Sequence, residues 1–210
     1  MGTDLNQVVA IEVFFPDSGR LEVGDTLHPE ARALNGRGDS VAAEIFWSSL
    51  DTAIVTVVDS GTGATLAKAV GTGRLQARFG SLRSNPQNVF VFVRLDSASL
   101  AAGVELRDTI TVSDPDSLSD SLAVKAWAGT SGAPGRPVVY TMTIYPAGDT
   151  TVTLVPKTTV QTDANGIAVA RLKVVRDPLP DSVVVTAAVR RPNGTAVPGS
   201  PLRFVVEFQP

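Results

Sequence analysis

The stretch most suggestive of binding chemistry is "NGRGDS" (Asn35–Ser40), in which Arg37, Gly38 and Asp39 form the tripeptide that animal integrins recognise. Such recognition needs an exposed loop. The guanidinium of Arg37 would pair with an acidic pocket of the receptor, and the carboxylate of Asp39 would complete the oxygen shell of a hard metal ion. Gly, Asp and Ser are also the residues that turns favour for conformational reasons. The stretch therefore predicts an exposed turn, and a receptor-binding loop is the functional alternative.

A second candidate is the acidic stretch "SDPDSLSDS", which brings Asp114, Asp116 and Asp120 close together in the sequence. Closely spaced carboxylates suit Ca²⁺, but the glycine and the terminal glutamate of an EF-hand loop are missing at the required offsets. We interpret the stretch as a solvated turn. Ca²⁺ at these three residues is the one metal alternative that we retain, and we expect no other cofactor.

No catalytic constellation is present in the sequence. His28 is the only histidine, and the chain contains no cysteine. A thiolate nucleophile, a disulfide and a cysteine-ligated metal are therefore excluded, and no Gly-x-Ser-x-Gly elbow accompanies the histidine. We expect a protein that is not an enzyme, with His28 in a structural or exposed position.

Charge and hydropathy narrow the classes of partner. The net charge is −3, lysine is scarce, and the arginines are dispersed along the chain. Because no basic stripe is visible, we expect no binding to nucleic acid. No apolar run approaches the roughly 18 residues of a membrane span, so we expect no membrane-spanning segment in this chain.

The elements that must carry these residues are predicted to be β-strands. Short runs rich in Val, Ile, Ala and Thr alternate between apolar and polar positions and are broken by Gly, Pro and Asn. In the first run, Val9, Ile11, Val13 and Phe15 fall on one face. Trp47 lies in phase with apolar neighbours and is predicted to be a core residue. Such strands at intervals of about 8–12 residues indicate a sandwich.

The pattern lapses at 94–103, which we interpret as a seam between two domains, 1–95 and 96–210. A second set of strands follows the seam. Asn165-Gly166 predicts a tight hairpin between two of these strands because both residues tolerate positive φ, and Asn193-Gly194 predicts another turn. The remaining aromatic residues of this half alternate within strands and are predicted to be packing residues, not a binding platform: Trp127, Tyr140 and Tyr145.

The first half resembles the second group of bacterial immunoglobulin-like domains. The resemblance lies in "LEVGDTL", "IFWSSLDTAIVTVVDSG" and "AKAVGTGRLQARFG", and it covers roughly residues 7–93. It departs from the family at His28-Pro29, where we expect a strand to be broken or to lie at an edge. The second half, about residues 104–208, resembles the invasin-like first group through "GAPGRPVVYTMTI" and "TTVQTDANGIAVARL".

These resemblances imply two tandem all-β immunoglobulin-like sandwiches. They also imply an extracellular, cell-surface or periplasmic bacterial location, reached by an export signal that this chain does not carry. They imply a secreted or cell-envelope structural protein whose function is that of a spacer or a protein–protein interaction module. Its partner would be a protein of the envelope or extracellular space, with a glycan as an alternative. Two functional alternatives remain: adhesion through the Arg-Gly-Asp loop, and an accessory module of a larger secreted enzyme.

Overall fold

The computed structural model describes residues 5–111, 117–147, 151–157, 159–175 and 178–209. The chain divides into two compact units, Met1–Arg94 and Leu95–Pro210. Within the described ranges both units are built from β-strands, with a 3₁₀ turn at Pro16–Gly19. No helix in these ranges has the length and apolar character needed to cross a bilayer.

The strands of the first unit follow the alternation seen in the sequence. Their bounds are β1 (Val8–Phe14), β2 (Arg20–Glu22), β3 (Thr26–Leu27), β4 (Glu30–Asn35), β5 (Ser40–Val41), β6 (Phe46–Ser49), β7 (Val55–Val57), β8 (Thr65–Ala67), β9 (Gly71–Phe79), β10 (Leu82–Arg83) and β11 (Gln87–Phe92).

Two groups of strands face each other in the first unit. One sheet has the order β10-β9-β11-β2, with β6 also paired to β9. The opposite layer contains β1-β4-β5 and β3-β8-β7. Only His28 and Pro29 separate β3 from β4, so the strand break expected at these residues is confirmed. Proline has no N–H to donate to a ladder, which explains why pairing stops here. His28 itself is exposed.

The core of the first unit is formed by both layers. Leu75, Val89 and Trp47 from one layer cluster with Leu27 and Val55 from the other. Trp47 is buried, as predicted. The chain passes directly over its indole ring at Gly63, where a Cβ would lie 2.7 Å from the Trp47 Cδ1 and Nε1 atoms. A glycine is therefore required at this crossing.

The predicted inward face of the first strand is correct for three of its four residues. Ile11, Val13 and Phe15 pack against the core cluster. Val9 is exposed because the pairing of β1 with β4 shifts register between Val8 and Ala10. A bulge of this kind turns the inserted residue away from the face that its neighbours share.

The second unit contains ten strands in its described residues. Their bounds are β12 (Ser97–Leu100), β13 (Arg107–Thr111), β14 (Leu122–Ala128), β15 (Ser131–Gly132), β16 (Pro137–Tyr145), β17 (Val152–Val155), β18 (Thr159–Gln161), β19 (Ile167–Val174), β20 (Ser182–Val189) and β21 (Leu202–Gln209).

These strands form two sheets. One has the order β12-β14-β19-β17, with β15 paired to β14, and the other has the order β13-β21-β20-β16-β18. The residues of β20 alternate strictly between buried and half-buried positions, as a strand with one face in a core requires. The order of strands is that of an immunoglobulin-like sandwich. The predicted all-β class with two immunoglobulin-like sandwiches is therefore confirmed.

The boundary between the two units falls inside the stretch interpreted as a seam, after Arg94, and the rest of that stretch belongs to the second unit. Its residues 97–100 form β12 and pair with β14. Leu95, Ala98 and Ala101 are buried. Small residues can fill a tightly packed layer without producing an apolar–polar alternation, which is why the sequence pattern lapses although the chain is in a strand.

The turn at Asn165-Gly166 forms, but the expected hairpin is wrong. Gly166 has φ +77° and its N–H donates to the Asp163 carbonyl. The strand before the turn, β18, pairs with β16, whereas the strand after it, β19, pairs with β14 and β17. The turn therefore carries the chain from one sheet to the other.

Tyr140 joins the two sheets of the second unit. It lies on β16 with its side chain buried, as predicted, and its hydroxyl is 3.0 Å from the carbonyl oxygens of Leu122 and Ala168 on the opposite sheet. Burial disfavours the phenolate and raises the pKa of Tyr140. Neither of the other two aromatic residues lies in the core, and the packing prediction is wrong for Tyr145. Trp127 lies half-buried on an outer face, with the Lys125 Nζ 3.8 Å from its ring centroid, and Tyr145 is exposed.

The buried phenol predicts a loss of stability in alkali. An unfolded chain ionises Tyr140 near pH 10, whereas the folded chain keeps it neutral. Tyr140 therefore contributes fully to the free energy of unfolding below about pH 10. As the pH rises further, this contribution falls by about 1.4 kcal/mol per pH unit. Tyr140→Phe should lower the free energy of unfolding by about 1 kcal/mol at pH 7 and should flatten the alkaline slope. Urea titrations between pH 7 and pH 11.5 measure both effects.

The control is Tyr145→Phe, because Tyr145 is the only other tyrosine and is exposed. This variant should keep the alkaline slope of the wild type. An unchanged slope in Tyr140→Phe would contradict the buried, neutral phenol.

Candidate functional site

The Arg-Gly-Asp stretch occupies the tip of the hairpin between β4 and β5. Gly36, Arg37, Gly38 and Asp39 are all exposed, whereas Asn35, at the base of the loop, is buried. The structure therefore places the three predicted residues together at an accessible position. Whether a receptor binds them stays a prediction.

Four hydrogen bonds to Asn35 fix the conformation of this loop. Its carbonyl accepts from the Gly38 N–H and its N–H donates to the Asp39 carbonyl, both at 3.0 Å. Its side-chain Oδ1 accepts from the N–H groups of Arg37 and Asp39 at 2.9 and 3.0 Å. Gly38 has φ +85°, a conformation that costs other L-residues energy.

The loop at Asp163–Ile167 has the same four bonds. The Asp163 carbonyl accepts from the Gly166 N–H, and its N–H donates to the Ile167 carbonyl. Its Oδ1 accepts from the N–H groups of Asn165 and Ile167 at 2.8 and 2.9 Å. This loop contains no Arg-Gly-Asp. Asn35 and Gly38 are thus accounted for by turn geometry alone.

Of the predicted acidic candidates, Asp114 and Asp116 lie outside the described residues. Asp120 is exposed, and its backbone N–H donates to the Asp108 Oδ2 at 2.8 Å. Both residues border an open depression of about 790 Å³, which is also lined by Glu105 and Arg107. No group of three or more His, Asp or Glu suited to a metal ion occurs among the described residues. The Ca²⁺ site stays a prediction.

Sequence reasoning missed a basic surface in the first unit. The outward side chains of β9 and their neighbours bring together six residues that we call the arginine face: Phe46, Arg74, Gln76, Arg78, Arg83 and Asn88. The register shows that they share one side of the sheet, since Arg78 lies opposite both Phe46 and Arg83, and Arg74 lies opposite Asn88. Arginines that are dispersed along the sequence are thus brought together on one side of a sheet.

Charge is distributed unevenly over the arginine face. Arg74 pairs with Asp51, with the Arg74 Nε 2.8 Å from the Asp51 Oδ2. This bond holds the pKa of Asp51 below its usual range. In the described part of the chain, Arg78 and Arg83 form no ion pair. The Arg78 guanidinium lies over the Phe46 ring at 5.2 Å from the ring centroid.

The sequence does contain a signal for this surface. In "TGRLQARF" the core residues Gly73, Leu75 and Ala77 alternate with Arg74, Gln76 and Arg78. The alternation indicates that these arginines share a face. It does not indicate that Arg83, on another strand, lies directly opposite Arg78.

Comparison with known proteins places the chain in no family. No family model matches it, and no curated protein matches it. Among solved structures it is similar to the Yersinia pseudotuberculosis adhesin InvE, with 16% identity and a TM-score of 0.44 over 94% of this chain. It spans 59% of the length of that InvE chain.

Two further solved structures give similar values. The fibronectin(III)-like modules of Clostridium thermocellum CbhA show 12% identity and a TM-score of 0.43, with 94% of each chain covered. The D0-D1 domain of Intimin shows 17% identity and a TM-score of 0.37, with 95% of this chain and 98% of that chain covered. These values are too low to assign the two units to particular groups, so the assignment of the first unit to the second group and of the second unit to the invasin-like group stays a prediction.

The turn analysis predicts how position 38 responds to substitution. No atom lies within 4 Å of a Cβ built on Gly38, so the cost of Gly38→Ala is conformational, about 1–2 kcal/mol. Gly38→Asn should cost less because Asn tolerates the left-handed region. Thermal or urea unfolding measures both variants, and equal destabilisation by Ala and Asn would contradict the assigned turn.

Proposed function

We propose that this chain is a non-enzymatic spacer and protein-binding module of a bacterial cell envelope. The observation that carries the proposal is the way the chain closes each unit. In both sandwiches a strand near the start of the unit pairs in parallel with the last strand. β2 pairs with β11, and β13 pairs with β21. A spacer must hold its length under tension, and this pairing serves that purpose.

Parallel pairing of an early strand with the last strand determines how tension acts on the bonds. A pull on the two ends of a unit draws the paired strands in opposite directions along their own axes. The bonds of the ladder lie across that direction and are loaded together, whereas the bonds of a hairpin pulled at its open end break one at a time. The pair in the second unit runs over five residue positions, Arg107–Thr111, and continues in the bond from the Val205 N–H to the Leu106 carbonyl.

The first unit has a shorter closure. Its parallel pair covers Arg20–Glu22 against Phe90–Phe92, extended by the bond from the Val23 N–H to the Phe92 carbonyl. Fewer bonds share the load in this unit. The second unit should therefore withstand the larger force.

Unpaired sheet edges offer a position for a protein partner. β18 and β17 are the outermost strands of the two sheets of the second unit. Their outer backbone groups suit an added strand from another chain, which gives affinity through main-chain hydrogen bonds. The envelope or extracellular location belongs to this proposal and follows from the resemblance of the sequence to bacterial surface domains.

Adhesion through Arg37, Gly38 and Asp39 is a second candidate function, favoured by the exposure of all three residues at a hairpin tip. The guanidinium and carboxylate of this loop are accessible to a receptor, and Asn35 presets the backbone between them.

Tension applied to the whole chain tests the spacer function. The chain has no native cysteine, so Thr109→Cys with Glu207→Cys, at exposed partner positions of the parallel pair, introduces a single crosslink. In a single-molecule pulling experiment the reduced second unit should unfold in one step, because its ladder is loaded as a whole. Oxidation should abolish most of the extension of that step.

The matched control is Thr141→Cys with Thr186→Cys, an antiparallel pair on β16 and β20. This crosslink does not join β13 to β21, so the second unit should still unfold in a single step, with a shorter extension. Gradual, low-force unzipping of the reduced protein would contradict the proposed load-bearing role.

The adhesive alternative makes its own prediction. Cells bearing integrins should adhere to immobilised chain in the presence of divalent cations, and Asp39→Glu should abolish adhesion because the longer side chain displaces the carboxylate. Arg203→Gln, an exposed change on β21, should have no effect. Adhesion that is unchanged in Asp39→Glu would exclude this function.

A further inference from the structure

The inference begins with the row of side chains Phe46, Arg78 and Arg83, which runs across β6, β9 and β10. Arg78 and Arg83 are directly opposite partners in an antiparallel pair, and both are exposed. Like charges in this position destabilise a sheet, and neither residue has an ion pair in the described part of the chain. The arrangement costs the isolated protein stability, and an anion placed between the two guanidinium groups would remove that cost.

The neighbouring side chains hold this row in place. The Phe46 ring lies beneath the Arg78 guanidinium, a favourable cation–π contact. The Gln76 Nε2 donates to the Ser84 carbonyl at 2.8 Å, and the Arg83 guanidinium donates to the Gln76 Oε1 at 3.4 Å. The two guanidinium groups are thus oriented by the protein before any ligand arrives, and less conformational freedom is lost on binding.

The spacing of the arginine face fits an extended ligand. Alternate residues of a strand project on one side about 7 Å apart, so Arg74 and Arg78 project about 13 Å apart with Gln76 between them. Asn88 lies beside Arg74 and is exposed. The unpaired guanidinium groups of Arg78 and Arg83 therefore share this face with the neutral amides of Gln76 and Asn88, which can bond hydroxyl groups, while Arg74 is paired with Asp51.

The chemistry of this face favours an acidic polysaccharide over two other polyanions. Single-stranded nucleic acid needs free aromatic rings on which its bases stack, but the Phe46 ring is covered by Arg78. Protein interfaces centre on buried apolar or aromatic anchors. The exposed aromatic residue of this sheet, Phe90, lies opposite Thr72, beside the end of the face formed by Arg74 and Asn88. It is about 20 Å along β9 from the Arg78 and Arg83 pair, where the anion would bind. An arginine guanidinium group binds a carboxylate through two parallel hydrogen bonds. Side-chain amides can form hydrogen bonds with the hydroxyl groups of a sugar.

We propose that the arginine face binds a linear polysaccharide carrying carboxylate groups, with one carboxylate between Arg78 and Arg83 and neighbouring hydroxyls at Gln76 and Asn88. This proposal deepens the proposed envelope function by naming a polymer partner and its surface. It does not depend on the load-bearing closure of the second unit, so the pulling experiment and the binding experiment can fail separately.

The test is binding of the full chain to polygalacturonate at low ionic strength, measured by calorimetry. Neutral dextran, poly-glutamate and poly(dT) are the comparison polymers. Arg78→Gln with Arg83→Gln should weaken binding to polygalacturonate by at least about tenfold, equivalent to 1.4 kcal/mol. Added salt should weaken wild-type binding, since the contacts are exposed charges.

The matched control is Arg190→Gln with Arg203→Gln, which removes the same charge at exposed positions outside the arginine face. It should bind polygalacturonate like the wild type. Thermal unfolding separates a binding defect from misfolding. Without ligand, the melting temperature of the Arg78→Gln, Arg83→Gln variant should be no lower than that of the wild type. Polygalacturonate should raise the melting temperature of the wild type more than that of the variant.

Three results would overturn the proposal. They are an absence of wild-type binding to polygalacturonate, equal loss of binding in the control variant, and binding of poly(dT) or poly-glutamate as tight as that of polygalacturonate. The last result would assign the face to nucleic acid or to acidic protein.

Discussion

The burial of every second residue of β9 is the constraint on which the surface of the first unit depends. Gly73, Leu75 and Ala77 are enclosed in the core, and moving the strand by one residue would expose all three and bury the charged residues between them. The apolar residues therefore fix the direction in which Arg74, Gln76 and Arg78 project. The charged side chains form a defined pattern on the surface because the opposite face of the same strand must be buried away from water.

Polar side chains inside the two sandwiches carry out structural tasks. Tyr140 satisfies carbonyl groups on the opposite sheet, and Thr162 accepts from the Arg136 N–H and donates to the Ala133 carbonyl. Asn35 and Asp163 bind the backbone of their own loops. A buried polar group is costly unless it is bonded. Tyr140, Thr162 and Asn35 are buried and are bonded to the backbone, whereas Asp163 is exposed.

The two loops built on Asn35 and Asp163 show how a short motif acquires its sequence. Each needs a side-chain acceptor at its first position and a glycine at its fourth, and the residues between are free to vary. In one loop these requirements leave Arg37 and Asp39 on either side of Gly38, and in the other they leave Ala164 and Asn165 before Gly166. The Arg-Gly-Asp tripeptide is compatible with a pure turn, and its exposure follows from its place at the tip of the hairpin between β4 and β5.

The sequence alone determined the all-β class, the two sandwiches, the burial of Trp47 and Tyr140 and the break at His28-Pro29, because alternation and proline act within a single strand. It did not determine which strands lie side by side. The hairpin at Asn165-Gly166 and the position of Val9 were misjudged, since pairing partners and a bulge depend on contacts distant in the chain. The arginine face was missed for the same reason. Arg78 and Arg83 become a like-charged pair only through the register of β9 with β10, which the tertiary structure decides by burying the opposite face.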